Sequence, residues 1–112
     1  MRIRIVTPAP PRSRTGNRIT ASRWLRILRE LGHQATIHQR FNGQPCDLLV
    51  ALHAHRSAAD IERFRRSHPK SPLLLALTGT DLYRDIARYE VARHSLELAD
   101  RLILLQPHGQ RF

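Results

Sequence analysis

The chain has 112 residues, 41% of them hydrophobic and 25% charged, which is typical of one globular domain with a modest core. No apolar run approaches the roughly 20 residues that a membrane helix needs, and one cysteine, Cys46, provides neither a disulfide framework nor a thiolate metal cluster. The net charge of +10 comes from eighteen arginines and one lysine scattered along the chain, so we expect a solvated basic surface, no membrane partner and no nucleic-acid partner.

The first third of the chain predicts two strands around one helix. Ile3 to Thr7 are mostly β-branched or apolar, which predicts a strand. The start of the chain runs directly into this strand and lacks the features of a signal peptide, so we expect a cytoplasmic protein. A helix is predicted from Arg18, with Asn17 able to cap it and Gly32 placed to end it. Ala35 to His38 predicts a weak second strand. The apolar positions at helical spacing are Ala21, Trp24, Leu25, Leu28 and Leu31.

Three continuous apolar runs follow, and such runs are typical of parallel strands buried on both faces. They are Leu48 to Leu52, Leu73 to Leu77 and Leu102 to Leu105. Helices are predicted between them, over Ser57 to His68 with Ser57 as the cap, and over Tyr83 to Ala99. The order β-α-β-β-α-β-α-β predicts an α/β fold, with a Rossmann-like, open, mostly parallel sheet and helices on both faces. We expect Trp24 and Cys46 to be core residues.

Two features of this predicted sheet are unusual. The eight residues from Gln39 to Cys46 are short for a parallel crossover, which ordinarily takes a dozen or more. Only seven residues follow Leu105, and they supply no cover for the last strand. We therefore expect residues 1–112 to be one truncated domain that exposes an apolar face.

Polar, glycine-containing segments follow the predicted strands, at the carboxyl ends where open α/β sheets bind ligands. After the first strand, Gly16, Asn17 and Arg18 combine a flexible backbone, the amides of a helix start and a positive charge, which suits a phosphate. The spacing matches neither dinucleotide nor P-loop motifs, so both of those readings fail. A plain turn into a helix is the structural alternative.

The segment after the third strand contains His53, His55, Arg56 and Ser57. A suitable third ligand is missing nearby, so we expect no metal site, and His53 is better suited to hydrogen-bond substrate or backbone. The helix dipole favours anions where Arg56 lies, which indicates an anion-binding role for that arginine.

The segment after the fourth strand contains Thr78, Gly79, Thr80, Asp81 and Tyr83. Its hydroxyls and carboxylate suit a polyol or a phosphate. A helix cap at Thr80 or Asp81 would account for the same residues, and a cap and a site can coexist.

Three runs of the sequence, residues 7–24, 48–57 and 77–85, resemble the N-terminal domain of selenosugar synthases. These enzymes are family-4-like GT-B glycosyltransferases of selenoneine biosynthesis. The resemblance spans Arg2 to about Pro107 and is most specific at residues 15–24 and 78–85. It implies transfer of a sugar from a UDP-sugar, UDP-N-acetylglucosamine in the type reaction, to selenophosphate. It also implies that the chain is the acceptor-side domain of an enzyme whose C-terminal nucleotide-sugar domain is missing, and that the chain does not turn over alone.

The resemblance and the motifs together assign the site. The diphosphate is expected at Gly16, Asn17 and Arg18, and catalysis at Thr80 and Asp81. We expect no metal and no cofactor other than the UDP-sugar co-substrate, because basic side chains and helix N-termini stabilise the leaving diphosphate. Acceptor or sugar contacts are assigned to His53, Arg56, Ser57, Thr78, Gly79 and Tyr83.

Two alternatives remain open. One is a family-4 glycosyltransferase with an ordinary sugar or lipid acceptor. The other is a small basic nucleic-acid-binding module, for which we would expect clustered charge or surface aromatics, whereas aromatic residues are 5% of this chain.

Overall fold

Five parallel strands form one open sheet in the computed structural model, which describes residues 1–8, 16–53, 56–77 and 90–104. The spatial order is β2-β1-β3-β4-β5, and every neighbouring pair is parallel. This confirms the predicted α/β class and the Rossmann-like sheet. The strands are β1 (Arg2–Val6), β2 (Gln34–His38), β3 (Leu48–Leu52), β4 (Leu73–Leu77) and β5 (Arg101–Leu104). The helices in the described residues are α1 (Gly16–Glu30), α2 (Ala58–Ser67) and α3 (Glu90–Leu98).

Helices pack on both faces of the sheet, as predicted. On the α1 face, Ala21 of α1 clusters with Ile3 and Ile5 of β1. On the opposite α2–α3 face, Phe64 of α2 and Ala92 of α3 belong to a second buried cluster. The two clusters alternate along the strands because successive side chains of a strand point to opposite faces.

The short connection between β2 and β3 crosses over β1 without a helix. An extended segment of nine residues reaches roughly 30 Å, which is enough to return along a five-residue strand of about 17 Å. Phe41 and Cys46 of this segment are buried on the α2–α3 face, which confirms Cys46 as a core residue. The Asp47 N–H donates to the Arg2 carbonyl at 2.8 Å, and Arg4 Nε donates to the Pro45 carbonyl at 3.2 Å.

The two ends of α1 compare differently with the sequence prediction. Gly32 ends the helix as predicted: it has φ +91°, and the His33 N–H donates to the Leu28 carbonyl at 3.0 Å. These are features of a Schellman motif, in which glycine tolerates the left-handed conformation. At the other end α1 already includes Gly16, so Asn17 lies within the helix and the predicted N-cap position is wrong.

Trp24 is another point of difference. It packs against the cluster on the α1 face but is only half-buried, whereas the sequence placed it in the core. The reason is that, among the described residues, α1 is the one helix on that face and covers the indole on one side only.

A carboxylate connects α2 to the amino ends of β4 and β5. Asp100 Oδ2 accepts hydrogen bonds from Arg65 Nη2 at 2.8 Å and from the Leu73 N–H at 2.7 Å. The bond from Arg65 and then the bond from the Leu73 amide hold the pKa of Asp100 below its ordinary value of 3.8. Arg65 also donates to the Leu98 carbonyl at 2.8 Å, so one guanidinium fixes several segments.

This pairing predicts an acid-dependent contribution to stability. Because the pKa of Asp100 is lowered by folding, its contribution is present above the unfolded pKa and is lost as the pH falls through the folded pKa. We expect Asp100→Asn to lower the Tm at pH 7, and we expect the difference from wild type to shrink below about pH 4. Thermal unfolding between pH 2 and 7 measures both. The exposed Glu97→Gln is the control, and an Asp100→Asn difference that is the same at pH 2 and pH 7 would contradict the assignment.

Candidate functional site

The side of the sheet on which the chain adds its next strand changes between β1 and β3. From β1 the chain passes to β2 on one side, whereas from β3 it proceeds to β4 and β5 on the other. The crevice at the carboxyl ends of strands at such a change is where open α/β sheets bind ligands. A pocket of about 310 Å³ lies at this point, and we call it the switch-point pocket. It is lined by Pro8, Gln39, Arg40 and Arg56.

The ends of β1 and β2 form one wall of the switch-point pocket. The Thr7 N–H donates to the His38 carbonyl at 2.9 Å, which continues the pairing of the two strands beyond β1. Gln39 Nε2 then donates to the Pro8 carbonyl at 3.3 Å. Two residues that follow different strands are therefore held together at the edge of the sheet.

Arg40 brings positive charge to this wall. Its Nη1 lies 3.6 Å from Asp60 Oδ2, while 67% of the arginine side chain remains exposed. Asp60 itself is almost fully buried, and its Oδ1 accepts the Phe41 N–H at 2.8 Å. A fixed carboxylate thus orients Arg40 without removing its guanidinium from solvent.

Arg56 lies at the opposite wall, just before α2. Its backbone N–H donates to His53 Nδ1 at 3.1 Å, while its side chain is exposed. The guanidinium makes no hydrogen bond or ion pair within the described residues. Arg56 therefore has a charged group available for a ligand.

His53 is held in an unusual backbone conformation at the end of β3. Its φ is +80°, which is in the left-handed region that non-glycine residues rarely adopt, and its carbonyl accepts the Ser57 N–H at 3.0 Å. Because Nδ1 accepts the Arg56 amide, the proton of the neutral ring lies on Nε2. The imidazole thus hydrogen-bonds to the backbone, which is one of the two roles that the sequence predicts for His53.

Ser57 has a structural function in this turn. It is 1% exposed, and its Oγ donates to the Leu52 carbonyl at 2.6 Å. It occupies the N-cap position of α2 but makes no side-chain capping bond, so the prediction that its side chain caps the helix is wrong. The buried hydroxyl donates instead to the carbonyl at the end of β3.

His38, the last residue of β2, adds no positive charge. Burial first, and the charge of Arg4 second, lower the pKa of His38. Arg4 Nη1 lies 2.7 Å from His38 Nε2, which is consistent with a neutral ring accepting that bond. The positive potential of the switch-point pocket therefore comes from arginines.

Arg18 lies in the first turn of α1, after Gly16 and Asn17, and is half-buried. Its Nε is buried and has no hydrogen-bond partner in the described part of the chain. Burying such a donor without an acceptor is unfavourable, and an anionic oxygen would satisfy it.

Several predicted residues cannot be placed. The cluster after β4 falls outside the described residues, so its catalytic and sugar-binding assignments stay predictions. In the ranges that the structure covers, no three histidine, cysteine or acidic residues are grouped as metal ligands would be. Within the same ranges, no helix combines the length and apolar character required to cross a bilayer. The predicted site residues of the cluster after β4 are Thr78, Gly79, Thr80, Asp81 and Tyr83.

Sequence reasoning missed Gln39 and Arg40, although it identified Arg56. The signal was present, since both residues follow the carboxyl end of a predicted strand. Their relevance depends on β2 lying beside β1, which the sequence order of the strands does not specify.

No model of a protein family matches this chain, and no curated protein sequence matches it.

Proposed function

We propose that this chain is the acceptor-side domain of a GT-B-type glycosyltransferase related to the selenosugar synthases. A sugar, N-acetylglucosamine in the simplest case, passes from a UDP-sugar to selenophosphate in the cytoplasm. The bond between the anomeric carbon and the diphosphate oxygen breaks, UDP leaves with that electron pair, and selenium bonds to the anomeric carbon. A second domain that holds the nucleotide completes the enzyme.

The switch-point pocket is the observation that carries this proposal. Both the leaving UDP and the incoming selenophosphate are anions, and both need a positive, polar cleft at the carboxyl end of the sheet. Arg40 and Arg56 line such a cleft, and arginine binds phosphate oxygens through paired N–H groups. The volume of about 310 Å³ matches the lower end of ligand pockets, which hold roughly 300–1,000 Å³.

The remaining residues have supporting roles in the proposal. Arg18 supplies a further cation at the start of α1, where the helix dipole also favours an anion. His53 fixes the backbone before Arg56 through its Nδ1. Thr80 and Asp81 orient a sugar hydroxyl near the reacting carbon, a role that comes from the motif alone.

Anion binding tests the pocket directly. We expect the chain to bind pyrophosphate, the charged part of the leaving group, with heat measurable by titration calorimetry. Arg56→Ala and Arg40→Ala should each weaken binding about ten- to hundredfold, because a charge-assisted hydrogen bond contributes about 1.5–3 kcal/mol. Arg66→Ala is the matched control, since Arg66 is exposed on α2 and pairs with Glu62 instead.

The outcomes separate the alternatives. Equal losses for all three arginine variants would indicate diffuse charge and contradict a defined anion site. Tight, salt-resistant binding to a duplex DNA fragment would overturn the enzyme proposal, since non-specific contacts give only about 10⁻⁴–10⁻⁶ M. Transfer itself is measured in a polypeptide that joins both domains, from UDP release with UDP-N-acetylglucosamine and selenophosphate. Release of UDP with phosphate or a sugar acceptor, but not with selenophosphate, would rule out selenophosphate as the acceptor.

A further inference from the structure

An apolar groove lies on the α1 face of the sheet, away from the switch-point pocket, and none of the described residues lines both. We call it the α1 groove. Its cavity is about 190 Å³. Ile27 at its rim is 43% exposed, and Trp24 is half-buried. The walls include Trp24, Ile27 and Leu28 of α1, and Val50, Leu74 and Ile103 of β3, β4 and β5.

The width of the sheet indicates what the α1 groove lacks. Five strands spaced about 4.8 Å apart make a surface roughly 19 Å across, and neighbouring helices pack with axes about 8–10 Å apart. Two helices therefore cover one face, as α2 and α3 do on theirs. Within the described ranges the α1 face has α1 alone, over β1 and β2, so the space beside it fits one further helix.

The lining argues against a small-molecule ligand. Such sites ordinarily hold about 300–1,000 Å³ and include a few polar groups that orient the ligand. The α1 groove is smaller, and all of the described residues in its walls are apolar. Grooves of this kind accept the apolar side chains of an amphipathic helix.

The rim has an excess of positive charge. Arg101 is exposed on β5 and is the register partner of Leu74, so both are on the α1 face. On the α1 side, Arg23 lies one turn before Ile27, and Glu30 lies one turn after it. Neither arginine has a hydrogen bond or ion pair within the described residues. The chain as a whole carries a net charge of +10, which adds to this field.

We propose that the α1 groove is a docking site for one amphipathic helix of a partner protein, apolar on the side that faces the sheet and acidic along its margins. The partner inserts aliphatic side chains between Trp24 and Ile103 and places carboxylates near Arg23 and Arg101. This inference does not depend on the glycosyltransferase proposal, because it concerns a different face and different residues.

The only tryptophan of the chain lines this groove and provides the measurement. The probe is a tryptophan-free synthetic peptide with leucines at helical spacing and glutamates along the margins of the leucine face. We expect it to bind with a blue shift of Trp24 emission. A peptide with lysines in place of the glutamates should bind at least tenfold more weakly at low salt, and the difference should shrink as salt increases.

Matched variants locate the binding. Ile27→Ser should weaken glutamate-peptide binding at least tenfold, whereas Ile19→Ser should not, because Ile19 is on α1 and 50% exposed but does not line the groove. Arg101→Glu should also weaken it. Circular dichroism confirms that each variant is folded. No binding of the glutamate peptide, or equal binding of both peptides, would overturn the proposal. A dimer in sedimentation that Ile27→Ser dissociates would also overturn it, in favour of a second copy of the chain.

Discussion

Replacing Phe64 with alanine is expected to destabilise the chain by about 3–5 kcal/mol, the range for truncating a buried aromatic side chain. Phe64 of α2 is fully buried. Its ring meets that of Phe41 edge-on at 5.4 Å and stacks on that of His68 at 5.0 Å. The substitution therefore leaves a cavity between α2, the crossover and the sheet. Urea unfolding monitored by circular dichroism measures the loss.

Two controls show whether packing is the cause. Phe64→Leu keeps most of the volume and should lose less than about 1.5 kcal/mol. Ile19→Ala removes a half-exposed side chain and should change the free energy of unfolding by no more than about 0.5 kcal/mol. If Phe64→Ala were as stable as Phe64→Leu, the crossover would not be packed against α2 as described.

Replacing Asp60 is expected to separate a hydrogen bond from a charge. Asp60→Ala leaves the Phe41 N–H buried without its acceptor and should destabilise the chain by about 1.5–3 kcal/mol. Asp60→Asn retains an oxygen acceptor and should destabilise it by less. The asparagine also removes the negative charge that lies 3.6 Å from Arg40 Nη1. Pyrophosphate should then bind about two- to fivefold more tightly: 67% of the Arg40 side chain is exposed, and ion pairs screened by solvent in this way are worth about 0.2–1 kcal/mol.

The two readouts report different features of Asp60→Asn. Unfolding in urea reports the Phe41 bond, and titration calorimetry with pyrophosphate reports the charge at the switch-point pocket. Glu62→Gln is the control for charge, because Glu62 pairs with Arg66 on the exposed side of α2. Weaker binding to a stably folded Asp60→Asn variant would mean that Asp60 positions Arg40 more than it neutralises it. That result would contradict the electrostatic prediction.

Asp60 and Phe64 both bear on the proposed function, because both contact the crossover between β2 and β3. The crossover carries Arg40 to the switch-point pocket and is anchored at its next residue, where the Phe41 amide bonds to Asp60 and the Phe41 ring packs on Phe64. Asp60→Ala and Phe64→Ala, which break this anchor, should therefore weaken anion binding as well as stability, whereas Asp60→Asn keeps the bond to the Phe41 amide. Arg56 reaches the pocket from the other wall through a separate turn, so it should be less affected.

The sequence alone determined the elements whose signals are local. The apolar runs of β3 and β4 predicted both strands with the bounds that the structure has, because continuous apolar residues have few alternatives to a buried strand. Gly32 marked the end of α1 because a left-handed backbone there suits glycine. The carboxyl-end rule identified Arg56 because it needs only the position of a residue after its strand.

Only the tertiary structure decided which of these elements meet. Placing β1 between β2 and β3 makes the nine-residue crossover possible and brings Arg40 to the same pocket as Arg56. The burial of Asp60 against the Phe41 amide depends on that crossover, and the half-burial of Trp24 depends on how far α1 extends over the sheet. These contacts join residues far apart in sequence, and no local propensity or periodicity encodes which distant partner a side chain will have.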